Sequence, residues 1–366
     1  VHMWELHPTE LTELAEKRFR EFFAAGSGGA GDLPFQQPHG AIVPIECRMA
    51  VVSIGNKRYL QCISRDISER KQAEAHIRAQ AQRAQVLLEL PHAAETMDEE
   101  NFMQYGQERV EELTDSEIAF IHFVNNDEET IELATWSRRT LEHCCTASFE
   151  EHYPICRAGI WADALRRKGP VIFNDYAGYP DKCGLPEGYT ELKRLILVPV
   201  IEDGRGVMLT GVGNKAGDYT DQDAETVQLI SNEIWRIVQH RRSLAALKES
   251  EQRFNSFMET IPGIAWIKDE QGRHFYVNDH NCEVLGITRE QVIGATVFDM
   301  LPREAAKISM ASDQEVFDSG MPCEHIEENA DRDGRIHYWQ IIKFPFESGS
   351  GQRLIGGTLL DQFLKV

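Results

Sequence analysis

Eight cysteines and thirteen histidines are the first residues to weigh, because thiolates and imidazoles hold metals and act as nucleophiles. Cys144 and Cys145 are adjacent and follow His143, with His152, Cys156 and Cys183 further along. A zinc site needs paired Cys-x2–4-Cys knuckles, and no such pair occurs. No metal centre is therefore expected, and buried, inert thiols are the plain reading. The chain has no G-x4-G-K-[ST] phosphate loop, no H-E-x-x-H and no G-x-S-x-G. It also lacks a histidine-kinase ATP-binding region and a G-G-D-E-F cyclase motif, so no catalytic residue is expected.

The best binding candidates lie in 161–189. Asn174, Asp175 and Tyr176 follow the strand-like run PVIF, so their polar groups emerge where a sheet meets a loop. Trp161, Cys156, Arg194 and the Trp136-Ser137 pair are candidates to line the same cavity. The competing reading is structural: Asn and Asp after a strand commonly cap a helix or shape a turn, and a Trp at helical spacing commonly packs in a core.

These residues need elements to hold them. The chain has 366 residues, 42% apolar and 27% charged, within the range of ordinary globular domains. Its length suggests two or three domains. The net charge of −21 argues against nucleic acid and anionic membrane as partners. No window approaches the roughly 18 apolar residues of a spanning helix, and the charged first twenty residues show no signal peptide. Sparse, irregular cysteines point to a reducing cytoplasm.

Two helical stretches punctuate the sequence. Residues 68–90 (SERKQAEAHIRAQAQRAQVLLEL) contain no Gly or Pro, and Ile77, Ala81, Ala84 and Leu88 keep heptad spacing. From about residue 221 to 257, Ile230, Ile234, Ile237, Arg241 and Leu244 repeat it. Both seams are expected to pair with a second copy of the chain; packing on their own domains is the alternative. A further repeat joins 50–66 (AVVSIGNKRYLQCISRD) to 344–361 (FPFESGSGQRLIGGTLLD). Each is strand, tight turn, strand and a final Asp, either Asp66 or Asp361.

These features carry a resemblance. Asp66-Ile67-Ser68-Glu69-Arg70-Lys71 resembles the D-I-T-E-R-K run at the exit of PAS sensor domains. Residues 251–262 (EQRFNSFMETIP), 264–278 (IAWIKDEQGRHFYVN) and 278–294 (NDHNCEVLGITREQVIG) resemble the entry helix, first hairpin and helical part of a complete PAS domain. After Asp361 the usual Ile-Thr-Glu-Arg is replaced by Gln-Phe-Leu-Lys-Val. The middle of the chain is similar to a GAF domain of the kind found in bacterial multi-domain sensors. It carries TWSRRTLEH at 135–143, AGIWADALRRKGPVIFNDY at 158–176, GLPEGY at 184–189, RLILVPV at 194–200 and LTGVGNKAGDYTDQD at 209–223.

The resemblance implies an α+β chain of antiparallel sheets flanked by helices and joined by long linker helices. Its parts are the later part of a PAS domain at 1–68, a linker helix at 69–90, a GAF domain at 85–242, a connecting helix at 225–257 and a PAS domain at 250–366. The chain is expected to begin inside a PAS domain or to be a piece of a longer protein. Asn214-Lys215-x3-Tyr219-x3-Asp223 resembles the N-K-F-D-E run of cyclic-nucleotide GAF domains, with Ala224 in place of the final Glu. It implies a structural Lys215–Asp223 ion pair and no ligand contact. Trp266, Tyr276, Asn278 and Trp339 fall on elements that wall the PAS pocket; Asn278 is also placed to cap the next helix. Asn281-Cys282-Glu283-Val284 does not match the flavin-photosensor run.

The function implied is a non-catalytic sensory module. An unidentified small molecule is held in the GAF or PAS pocket, and Asp66 and Asp361 couple that state through dimeric helices to an output domain. The cofactor stays unknown. The alternatives are an interaction scaffold, or a haem or thiol redox sensor. Haem would use Cys156 or His152 by analogy with some GAF domains, and a redox thiol would need positive charge nearby.

Overall fold

The computed structural model describes residues 2–29, 33–125, 127, 130–143, 153–154, 163–179, 191–330 and 336–361, with backbone alone at 27–29, 143, 153–154, 327–330, 336–337 and 361. The chain divides into two compact units, Val1–His240 and Arg241–Val366.

In the first unit, helix α1 (Thr12–Ala25) ends where Gly26 turns left-handed at φ 90°, a conformation glycine takes at no steric cost. Strands β1 (Ser27–Gly29), β2 (Phe35–Gln36), β3 (Ile42–Val43), β4 (Ile45–Ile54) and β5 (Lys57–Asp66) follow. β1, β4 and β5 form one sheet in that order, and β2 pairs with β3. Ile54 pairs with Lys57 across a two-residue loop that opens on Gly55 at φ 60°, the hairpin geometry a Gly-Asn pair favours. Ala15 and Phe19 of α1 pack on Ile45, Cys47 and Met49 of β4.

Helix α2 (Ser68–Thr96) leads into α3 (Glu99–Leu113), whose first turn is capped by the Asp98 carboxylate accepting from Asn101 N. Then come β6 (Ile118–Val124), β7 (Thr130–Trp136), α4 (Arg138–His143), β8 (Tyr153–Pro154), α5 (Asp163–Arg167), β9 (Val171–Phe173), β10 (Leu195–Glu202), β11 (Arg205–Gly213) and α6 (Asp221–Thr260). The strands form an antiparallel sheet ordered β8-β7-β6-β11-β10-β9. Near-continuous apolar runs such as LILVPV arise because both faces are covered. One face takes Ile121, Ile196, Val198 and Met208 into a core with Phe102, Val110, Val227, Ile230 and Ile234. The other turns Phe120, Trp136, Phe173, Tyr176, Leu195, Leu197 and Leu209 into a second core.

The second unit holds β12 (Ile264–Asp269), β13 (His274–Val277), α7 (Asp279–Leu285), α8 (Arg289–Val292), α9 (Val297–Met300), α10 (Arg303–Ser319), β14 (Cys323–Ala330), β15 (Ile336–Glu347) and β16 (Arg353–Asp361). Its sheet runs β13-β12-β16-β15-β14, all antiparallel. The β12–β13 turn is held by Asp269 Oδ1, which accepts from Gln271 N and Arg273 N, and by Gly272 at φ 75°. Val316 and Phe317 of α10 pack on Ile355 of β16.

The α+β architecture with antiparallel sheets is the one expected. The seam on the later helix is corrected. Ile230, Ile234 and Ile237 are buried in the chain's own core beneath the six-stranded sheet and are not open to a partner; Leu244, beyond them, is exposed. On α2, Ile77 is 63% and Leu88 79% exposed, whereas Val86, Leu90 and Ala93 are buried in that same core. Among the described residues no helix is long and apolar enough to cross a membrane.

Candidate functional site

In the middle domain Asn174, one of the residues expected near a pocket, joins a polar lock around Tyr219. Asn174 donates from Nδ2 to Tyr219 O at 3.0 Å and accepts from Tyr219 N at 2.7 Å through Oδ1. Both ends of its amide are thus spent on one backbone unit. Tyr219 Oη hydrogen-bonds Ser116 Oγ at 2.7 Å and accepts from Lys215 N; burial pushes the phenol up to about 12. Lys215 Nζ lies 2.8 Å from Asp223 Oδ1, and Asp223 Oδ2 accepts from Thr220 N and Oγ1. Asp223 therefore balances one cation and ties down the chain entering α6.

Arg194 pairs with Asp218 at 3.0 Å and donates to Lys215 O. Asp175 caps a turn by accepting from Gly178 N. Tyr176 and Trp136 are buried in the second core, where Trp136 meets the Phe120 edge at 5.6 Å. Trp161, Cys144, Cys145, His152, Cys156 and Cys183 lie outside the described residues. Among the described thiols, burial raises Cys62 to about 11 and also raises Cys282, which disfavours the reactive thiolate.

One residue on this sheet was not singled out from sequence. His122 of β6 is 1% exposed, set against Phe120 at 5.2 Å, and burial lowers it to about 3. It is a neutral imidazole at ordinary pH. A lone His inside IAFIHFV was the available signal.

In the second unit, Asn278 is fully buried and acts as cap and staple. Its Oδ1 accepts from Ala265 N and Asn281 N, and its Nδ2 donates to Gly263 O at 2.8 Å. Tyr276 donates to Glu259 at 3.3 Å and meets Phe254 edge-on; burial first, then Glu259, raises its phenol to about 12. Trp339 lies on β15 opposite Glu327 and Asp361, two residues before Ile341 and on its face of the sheet. Trp266 of β12 lies across Gly357 of β16: a Cβ there would stand 2.3 Å from Trp266 Cζ2.

Beside Trp266 is a charged core that sequence reasoning missed. Lys268 Nζ contacts Asp313 Oδ2 at 2.9 Å, and Lys343 Nζ contacts Asp313 Oδ1 at 2.5 Å and Ser309 O at 3.1 Å. All three side chains are 2–4% exposed. Burial lowers Lys268, against the opposing pull of Asp313. Its neighbour His274 is lowered to about 4, mainly by burial, and is held by Ala295 O at 2.9 Å.

Comparison with known proteins agrees with this architecture. Models of a PAS domain, a GAF domain and a PAS fold match residues 2–69, 96–239 and 258–361. A methyl sulfide methyltransferase-associated sensor of Methanosarcina acetivorans is 29% identical over 232 residues, covering 63% of this chain and 23% of the relative. The chain therefore spans under a quarter of that protein's length. Among solved structures, the PAS domain of an HTR-like protein from Haloarcula marismortui is 19% identical, covering 33% of this chain and 98% of that one, at a TM-score of 0.27. The GAF domain of a phosphoenolpyruvate-protein phosphotransferase from Coxiella burnetii is 11% identical, covering 45% and 98%, at 0.38. The chain is thus built, in order, from a PAS domain, a GAF domain and a PAS fold.

Proposed function

We propose that this array senses a small molecule in its GAF or second PAS domain. It reports the state through linker helices, paired in a homodimer, to an output domain outside this chain, a histidine kinase or a cyclic-di-GMP enzyme. The supporting observation is the two-sidedness of α2. One face packs Arg83, Val86, Leu90 and Ala93 inward, with Arg83 Nη1 3.0 Å from Glu225; the opposite side presents Ile77 and Leu88 to solvent. A helix gripped by a domain on one side and apolar on the other fits a transmitter between two chains. A ligand biases it only through unequal affinity for the two arrangements.

Asp66 sits at the junction. Its exposed carboxylate accepts from Ser68 N at 2.8 Å, a bond that lowers its pKa, and Arg70 reaches back toward Glu46 of β4 at 3.7 Å. Asp361 ends β16 at the equivalent place in the second PAS domain. The cytoplasmic setting follows from cysteine usage, and the acidic surface disfavours nucleic acid and anionic membrane.

Light scattering of wild type beside the double variant Ile77→Glu, Leu88→Glu tests the pairing. The reading predicts a dimer that the substitutions split, and a monomeric wild type removes it. Asp66→Ala in the full-length parent should abolish the ligand response while leaving the fold intact; an unchanged response removes Asp66 as coupler. Native mass spectrometry with an absorption spectrum of freshly purified protein separates the remaining readings. A bound small molecule supports sensing, a Soret band supports haem, and an empty, spectrally silent dimer supports a scaffold.

A further inference from the structure

The core of the second PAS domain carries an unbalanced charge. Lys268 and Lys343 set two amino groups against the single carboxyl of Asp313, all sealed from water. Leaving a buried charge uncompensated is costly. Asp269 does not restore the balance: it alternates to the other side of β12 from Lys268, and its Oδ1 is occupied by two backbone N–H groups of the turn. His274 is neutral and adds no charge.

A second observation points the same way. Trp266 Nε1 is buried and has no hydrogen-bond partner among the described residues, in a residue 8% exposed. An orphaned buried donor is costly and rare in native structures. Trp266, Gly357 and Lys343 stand in one cross-strand row, and Lys268 lies two residues along β12 from Trp266, on the same face. The indole lies over Gly357, with Nε1 2.9 Å from where a Cβ would stand, and Lys268 Nζ is 5.5 Å from its ring centre. The site lacks one negative charge and one acceptor together, and a carboxylate supplies both.

We infer that the second PAS domain binds a small carboxylate between Lys268, Lys343 and the Trp266 indole N–H. Asp313 holds the two lysines in place when the ligand is absent. Gly357 serves this arrangement, since a side chain there would displace the indole. This deepens the sensing reading, and it rests on that reading only for what the carboxylate does next.

The test is a titration of the full chain with sodium acetate against sodium chloride at equal ionic strength. The readout is the Trp266 indole 1H–15N resonance, assigned by its loss in Trp266→Phe. A saturable shift with acetate alone is expected. Lys268→Met leaves one lysine balanced by one carboxylate, so it is expected to fold, and it should weaken acetate by more than about tenfold. No acetate shift in wild type, or an equal shift in Lys268→Met, overturns the inference. Because the titration reads binding at this core only, its failure leaves small-molecule sensing by the GAF domain standing. An empty, spectrally silent protein in native mass spectrometry would instead count against the sensing reading itself.

Discussion

The GAF and second PAS domains use the same residue types to opposite electrostatic ends. In the GAF domain one lysine meets one aspartate at 2.8 Å, and the second carboxylate oxygen is filled by Thr220. Charges and hydrogen bonds close, and the result is a lock on the start of α6. In the PAS domain one aspartate divides itself between two lysines, and the indole beside them finds no acceptor among the described residues. The first cluster closes among the described residues; the second, on our inference, closes when a carboxylate is added.

The largest effect should come from breaking the PAS cluster. Asp313→Ala leaves two buried cations unpaired and should cost about 3–5 kcal/mol. Asp223→Ala, at the partly exposed GAF pair, should cost about 1–3 kcal/mol through its lost hydrogen bonds. Hydrogen exchange of β12 and β15 against β10 and β11 reads each locally; equal losses would erase the contrast.

Crowding comes next. Gly211→Ala would set a Cβ 1.9 Å from Phe120 Cζ, and Gly357→Ala one 2.3 Å from Trp266 Cζ2. Each should destabilise its sheet by about 1–3 kcal/mol, read by denaturant unfolding. Only Gly357→Ala should abolish the acetate response.

The histidines give a smaller, pH-dependent difference. His122 and His274 are lowered from an ordinary 6.5 to about 3 and about 4 by burial. Below about 6.5 the unfolded chain takes up protons that these folded sites refuse, so stability falls as pH drops, by about 1.4 kcal/mol per unit for each histidine. The His274 contribution stops near pH 4 and the His122 contribution continues toward 3. Above 6.5 neither contributes to the slope. Unfolding of His122→Gln and His274→Gln across pH 4 to 7, on about that scale, measures each share.

Much of the architecture was legible. Gly-Asn, Asp-Glu-Gln-Gly and Ser-Gly-Ser-Gly turns fixed the hairpins, and the Lys215–Asp223 pair stood eight residues apart as its run implies. The seam on α6 misled because heptad spacing says which residues share a face and not what covers it; Ile230, Ile234 and Ile237 meet their own sheet. Asn174 read as a loop contact because its partner, Tyr219, is 45 residues away. Lys268 and Lys343 were passed over because a lysine in a strand suggests an edge or a solvated face. Their parity with Trp266 and Ile341 was visible, but Asp313, which makes an inward lysine tolerable, sits on a helix 45 residues from Lys268.

Hydrogen exchange of the whole chain with and without sodium acetate, at constant ionic strength, tests the central contrast most directly. The account predicts added protection in β12, β15 and α10 and none in β10 or β11. No change anywhere, or an equal change in both domains, would contradict it.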